Sequence, residues 1–147
     1  MGEPASLRVR ALRMLARREY SRRELQNRLS SCGADESEVQ VVLEEFEQKG
    51  WLSEQRFVDA VVETRRRRFG TAKVLQELRN KGVSEDSLAE ARAVLREGEL
   101  ETARNVWQKK FGNKPTSLAE RARQARFLAG RGFSQDVIRK ILDWRDE

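Results

Sequence analysis

Apolar residues recur at intervals of three and four along most of the chain. Val39, Val42, Leu43 and Phe46 form one stripe, Phe57, Val58, Val61 and Val62 a second, and Val137, Ile138, Ile141 and Leu142 a third. That spacing puts each set on one face of an amphipathic helix. A longer period lies over it. Gly33, Gly82 and Gly132 stand 49 and 50 residues apart, each four residues after a leucine (Leu29, Leu78, Leu128). An aliphatic residue follows six positions on (Val39, Leu88, Ile138), and a small or aliphatic one nine on (Val42, Ala91, Ile141). A glycine that closes an amphipathic stretch suits the left-handed position just past a helix. Start signals agree. Ser21 with Glu24 and Asp35 with Glu38 have capping-box spacing, and Ser53, Thr71, Ser84 and Ser134 stand where further caps are needed. The pattern predicts nine helices, near 6–18, 21–32, 35–49, 53–68, 71–81, 84–97, 99–111, 117–130 and 134–145. It predicts an all-α fold, an elongated, curved array of three tandem three-helix repeats at 1–50, 51–98 and 99–147. Units this small bury little surface alone, and stacking supplies the rest. The segment 112–117, with Pro115, is expected to be a mobile loop.

Composition removes most chemistry. The 147 residues include no histidine and one cysteine, Cys32. Histidine-based triads, histidine-ligated metals and internal disulfides are therefore excluded. Gly112, Asn113, Lys114 and Pro115 lack the spacing of a phosphate loop. No catalytic, cofactor or metal residues are expected. The longest uncharged run, from Leu29 to Ala34, is six residues, too short to span a bilayer. Arg8, Arg10 and Arg13 interrupt any secretory core. A cytoplasmic, non-enzymatic helical protein is expected, with a monomer as its state. Cys32 is expected to be a buried thiol. Ser6 reads as a helix cap rather than as part of a lipidation signal.

The chain carries 30 basic and 24 acidic side chains, a net +6 that grows toward the C-terminus. Arginine supplies 23 of the 30, and its planar fork suits phosphate or carboxylate. The densest run is Arg65, Arg66, Arg67 and Arg68. At about 100° per residue these cannot share a face. Arg65 and Arg66 continue the stripe of Val61 and Val62, whereas Arg67 and Arg68 point elsewhere. Lys73, Arg79 and Lys81 would extend this central surface. Arg121, Arg123, Arg126 and Arg131 make a second cluster. Solvated helix faces are the plain reading of both, and contacts to acidic side chains or DNA phosphates the functional one. Trp51 is expected to pack repeat 1 on repeat 2, Trp144 to be exposed, Phe57 to be core, and Arg56 to pair with a carboxylate or a helix end.

Ala11, Leu12 and the run Leu15-Ala16-Arg17-Arg18-Glu19-Tyr20-Ser21, then Glu24, Leu25 and Leu29, resemble the opening of the RecX family. Gly50-Trp51-Leu52-Ser53-Glu54-Gln55-Arg56-Phe57, followed by Arg65, Gly70, Leu75, Gln76-Glu77-Leu78 and Lys81-Gly82-Val83, is similar to its centre. Lys110-Phe111-Gly112, Arg126-Phe127-Leu128, Arg131-Gly132-Phe133 and Ile138 complete the match. The likeness covers roughly residues 8–143. One departure is Arg68-Phe69-Gly70, where the family commonly has glycine, aromatic, glycine, which implies a tighter turn.

The resemblance implies a regulator of the RecA recombinase. RecX-like proteins are built from tandem three-helix repeats, bind RecA and RecA–DNA filaments, and lower its ATPase, strand-exchange and coprotease activities by lodging in the filament groove. Some also bind single- or double-stranded DNA. The RecA- or DNA-contacting candidates here are Arg65, Arg66, Arg67, Arg68, Lys73, Lys81, Arg121, Arg123, Arg126 and Arg131. The alternative is a helix-turn-helix-like DNA-binding protein acting without RecA. The glutamates of the helix near 35–49 argue against it.

Overall fold

A computed structural model of the protein describes residues 6–143. Its secondary structure there is nine α-helices and no strand: α1 (Leu7–Arg17), α2 (Arg22–Ser30), α3 (Glu36–Gln48), α4 (Glu54–Arg65), α5 (Thr71–Asn80), α6 (Glu85–Glu97), α7 (Glu99–Lys110), α8 (Leu118–Gly130) and α9 (Gln135–Asp143). Serine hydroxyls start most of them. Ser6, Ser53, Ser84 and Ser117 each accept a first-turn amide, and Ser21 with Glu24 closes a reciprocal capping box. Two expected caps differ. Asp35 makes no capping bond, because its carboxylate takes the Ser37 hydroxyl instead. Thr71 is the first residue of α5 and Gly70 holds the cap position. Trp144 lies outside the described residues.

The helices enclose three separate cores. Leu25, Leu29, Leu43 and Phe46 centre the first, within α1–α3. Val74, Leu78 and Leu88 centre the second, within α4–α6, and Leu128, Ile138 and Ile141 the third, within α7–α9. The 49- and 50-residue period is the period of these cores. Leu29, Leu78 and Leu128 are each fully buried, a gain of about 1.5–3 kcal/mol apiece. The glycine four residues later has φ of 84°, 84° and 94° at Gly33, Gly82 and Gly132. The chain thus leaves one helix and enters the next through a left-handed turn closed to other residues without strain. Phe57 is buried in the second core.

Several local expectations fail. The fourth helix stops at Arg65, and Arg66 to Arg68 form a turn in which the Arg68 and Phe69 amides both donate to the Arg65 carbonyl. Cys32 is exposed, because the helix ends at Ser30 and leaves the thiol in the turn. Trp51 stacks edge-on against Phe46 at 5.2 Å and stays 39% exposed, so it completes repeat 1 rather than joining it to repeat 2. The segment after α7 is pinned. The Lys114 ammonium donates to the Ile141 carbonyl, Gln124 to the Asn113 carbonyl, and the Thr116 amide to Glu120.

The repeats meet through two different joints. Repeats 1 and 2 are joined by side chains: Lys81 to Glu24 at 2.8 Å, Arg56 to Glu19 at 3.1 Å, and Arg23 laid over Gly82. Arg56 also donates to the Gly50 and Trp51 carbonyls, so it meets both a carboxylate and a helix end. Repeats 2 and 3 are joined by main chain. The Gly70 amide donates to the Arg131 carbonyl at 2.7 Å, and the Ala72 amide to the Gly132 carbonyl. A methyl on Gly70 would sit 2.4 Å from the Gly132 carbonyl.

Candidate functional site

The main-chain joint between repeats 2 and 3 gathers cations around Phe69. Because Gly70 is drawn onto the Arg131 carbonyl, Phe69 is carried to the edge of the joint. The Arg68, Lys73 and Arg131 heads lie 5.9, 5.4 and 5.3 Å from its ring centre. Arg131 also lies 5.0 Å from the Phe127 ring, and Lys110 5.3 Å from that ring. Phe127 is held edge-on by Phe111 at 5.4 Å. The Arg131 guanidinium donates to the Arg68 carbonyl and the Lys73 ammonium to the Gly130 carbonyl. No carboxylate bonds to any of the four cations among the described residues, so their charge is held in place and not neutralised. Cations over ring faces gain about 0.5–1 kcal/mol each at exposed sites, and they cover those faces against stacking by a base. The three-residue turn that Arg68 occupies is what aims it at the ring.

The other candidates separate. Arg65 donates to Glu77 at 2.9 Å and lines grooves on both sides of that pair, beside Lys81 on one side and Lys73 on the other. Its guanidinium pKa is raised, chiefly by the Glu77 hydrogen bond. Lys81 is neutralised by Glu24, which also takes Arg18 and the Ser21 amide. Burial pushes the Glu24 carboxyl up, but the bonds from Lys81, Ser21 and Arg18 outweigh it and hold it below the usual carboxylate range. Arg66 lies beside Gly98 at the α6–α7 junction, away from Arg65. Arg67 extends into solvent near Glu63. Arg121 pairs with Asp143, while Arg123 and Arg126 are exposed on α8. The structure therefore brings together Arg68, Lys73 and Arg131, with Arg65 alongside. It leaves Arg66, Arg67, Arg121, Arg123 and Arg126 outside that group.

A second basic surface sits at the same joint. Arg79 of α5 and Arg92 and Arg96 of α6 line a cleft of about 530 Å³ between repeats 2 and 3. Its floor includes Glu99, whose side chain caps two helices at once: Oε1 accepts the Thr71 amide at 2.9 Å and Oε2 the Ser134 amide at 3.1 Å. Glu99 is 6% exposed. Burial pushes its carboxyl up, but bonds from Thr71 and Ser134 prevail and lower it. Sequence reasoning missed Arg92 and Arg96. Their four-residue spacing on one helix face was the available signal, and the neighbouring repeat that makes it concave was not. No set of three or more Cys, Asp or Glu side chains among the described residues could hold a metal ion. No helix there is long and apolar enough to cross a membrane.

Comparison with known proteins matches this architecture repeat by repeat. Models of the first, second and third three-helix domains of RecX match residues 8–46, 53–91 and 97–142. The regulatory protein RecX of Leptothrix cholodnii is 46% identical over 141 residues, covering 96% of this chain and 90% of that one. That of Ralstonia nicotianae is 42% identical over 144 residues, covering 98% and 91%. The crystal structure of RecX from Lactobacillus salivarius superposes with a TM-score of 0.80 at 16% identity, covering 93% of this chain and 92% of that one.

Proposed function

The chain belongs to the RecX family of regulatory proteins, and from that premise we propose that it binds RecA and the RecA–DNA filament in the cytoplasm and restrains them. Its effect is to lower RecA ATPase, strand exchange and coprotease activity, and so to temper recombination and the SOS response. The body lies across neighbouring RecA protomers in the filament groove. A ligand that grips two protomers opposes both subunit addition and the cycling that hydrolysis requires.

The observation that carries this reading is the group of Arg68, Lys73 and Arg131 around Phe69. Carbonyls and ring faces fix these cations before any partner arrives, so little side-chain freedom is lost on binding. Their uncompensated charge speeds and orients encounter with an acidic protein surface. A helix-turn-helix reader of duplex DNA acting without RecA is less well supported. Glu38 and Glu44 are exposed on α3, a helix that such a reader could lay in the groove, and they repel phosphate.

The test is the single-stranded-DNA-dependent ATPase of the cognate RecA, titrated with this protein. Substoichiometric wild type should suppress hydrolysis. The Arg68→Glu/Lys73→Glu variant should need about tenfold more protein, and Arg67→Glu, whose side chain extends into solvent beside Glu63 and makes no contact with the Phe69 ring, should act like wild type. If several-fold excess of the wild type leaves hydrolysis untouched, the reading fails.

A further inference from the structure

We infer that the cleft between repeats 2 and 3 is a docking site for an acidic segment of a protein partner, distinct from the Phe69 surface. The inference rests on the reading above that the chain is a protein-binding regulator, and it adds where and to what chemistry it binds.

The three cations of the cleft are all arginines, and among the described residues no hydrogen bond, ion pair or ring contact engages their side chains. Arg79 and Arg96 stand in the last turns of their helices, where the helix dipole alone favours a cation. Arg92 has no such reason. It lies mid-helix, and no carboxylate among the described residues meets its guanidinium, which is left open to an arriving counter-charge. The cleft's own acids do not supply it. Both oxygens of Glu99 are taken by main-chain amides, and Asp136 pairs with Arg139. Arg92 and Arg96 are one helical turn apart, so their heads present side by side and fit two carboxylates, each able to accept a bidentate fork.

The occupant is protein rather than nucleic acid. The cleft contains no aromatic side chain on which a base could stack. Val137, only partly buried, lines the same cleft and offers aliphatic contact to the apolar residues of such a segment.

The test uses the full chain and two fluorescent probes, a peptide of alternating glutamate and leucine and an oligo-dT strand, titrated at ~0.1 M salt. The peptide should bind the wild type. Its Kd should rise about tenfold or more in Arg92→Glu/Arg96→Glu and measurably in the milder Arg92→Gln/Arg96→Gln, with the helical circular dichroism of both variants unchanged. Oligo-dT affinity should not follow the same variants. Peptide binding that ignores both variants, no peptide binding at all, or loss of oligo-dT instead of peptide would each overturn the inference. The RecA ATPase titration is run in parallel. Suppression of hydrolysis without peptide binding sinks the cleft alone, and peptide binding without suppression sinks the RecA reading alone.

Discussion

A methyl group on Gly132 would lie 2.5 Å from the Lys73 Cβ, and its backbone φ of 94° is already unfavourable for any other residue. Gly33 has the same kind of turn at φ 84° with open space where a Cβ would go. The two positions separate backbone strain from collision. Gly33→Ala should lose about 1–2 kcal/mol, the left-handed penalty. Gly132→Ala adds overpacking and should lose about 2–5 kcal/mol, read as a difference in urea midpoint at constant slope. Glu99 allows a second single-atom test. Glutamine there would present one carbonyl oxygen and one amide nitrogen to two main-chain donors and leave one of those N–H groups unpaired. Glu99→Gln should be about 1–3 kcal/mol less stable, and amide exchange at Thr71 and Ser134 should quicken ahead of the first core. Unchanged exchange at those two sites would show that the carboxylate is not what closes the joint.

At the scale of helices, Glu54 and Glu99 hold the same place, the first residue of the first helix of their repeats, and each reaches the start of the third helix. Glu54 accepts from the Ser84 amide and hydroxyl and from Ser87, as Glu99 does from Ser134. Repeat 1 has Leu7 there, and α3 begins without a carboxylate cap. These acids make stability sensitive to acid. Glu24, Glu45, Glu54 and Glu99 all titrate below the ordinary range, Glu45 at about 2 through its bonds to Arg8 and Lys49. A carboxyl lowered by folding stabilises the native state above its unfolded pKa, and that contribution disappears as pH falls through the folded value. Thermal midpoints should therefore decline below about pH 4.5 and continue falling toward pH 2. With no histidine in the chain, they should be nearly flat from about pH 5.5 to 7. The helices themselves were legible, because glycine turns and serine caps are local chemistry. The end of α4, the exposure of Cys32 and the fate of Trp51 were not. The end of α4 is decided by a partner distant in sequence, Arg131 drawing Gly70 out of the helical path, whereas Cys32 and Trp51 are set by where α2 and α3 stop, which spacing alone locates only to within a few residues. The same holds for the candidate cations. Arg65 to Arg68 were visible as a run, but that Arg65 is neutralised and Arg68 is not depended on where Glu77 came to rest.

Over the whole molecule, the two joints differ in kind. The first relies on partly exposed ion pairs, each worth about 0–1 kcal/mol and screened by salt. The second relies on main-chain bonds and a buried carboxylate, which salt scarcely touches. Spin labels on Cys32 and on Leu118→Cys, both exposed positions, report repeat 1 against repeat 3. Labels on Val94→Cys and Leu118→Cys in a Cys32→Ser background report repeat 2 against repeat 3. Raising salt to about 1 M, where screening acts over about 3 Å, should broaden the first distance distribution and leave the second narrow. Equal broadening would contradict the asymmetry. A body of three cores with one soft and one stiff coupling deforms like a short limb with a single working elbow. Against the helical filament proposed above as its partner, a change of pitch would collect strain at Glu24 and Lys81 and pass on the geometry of Arg68, Lys73 and Arg131 without distortion. On that reading its grip would follow a changing thread without loosening.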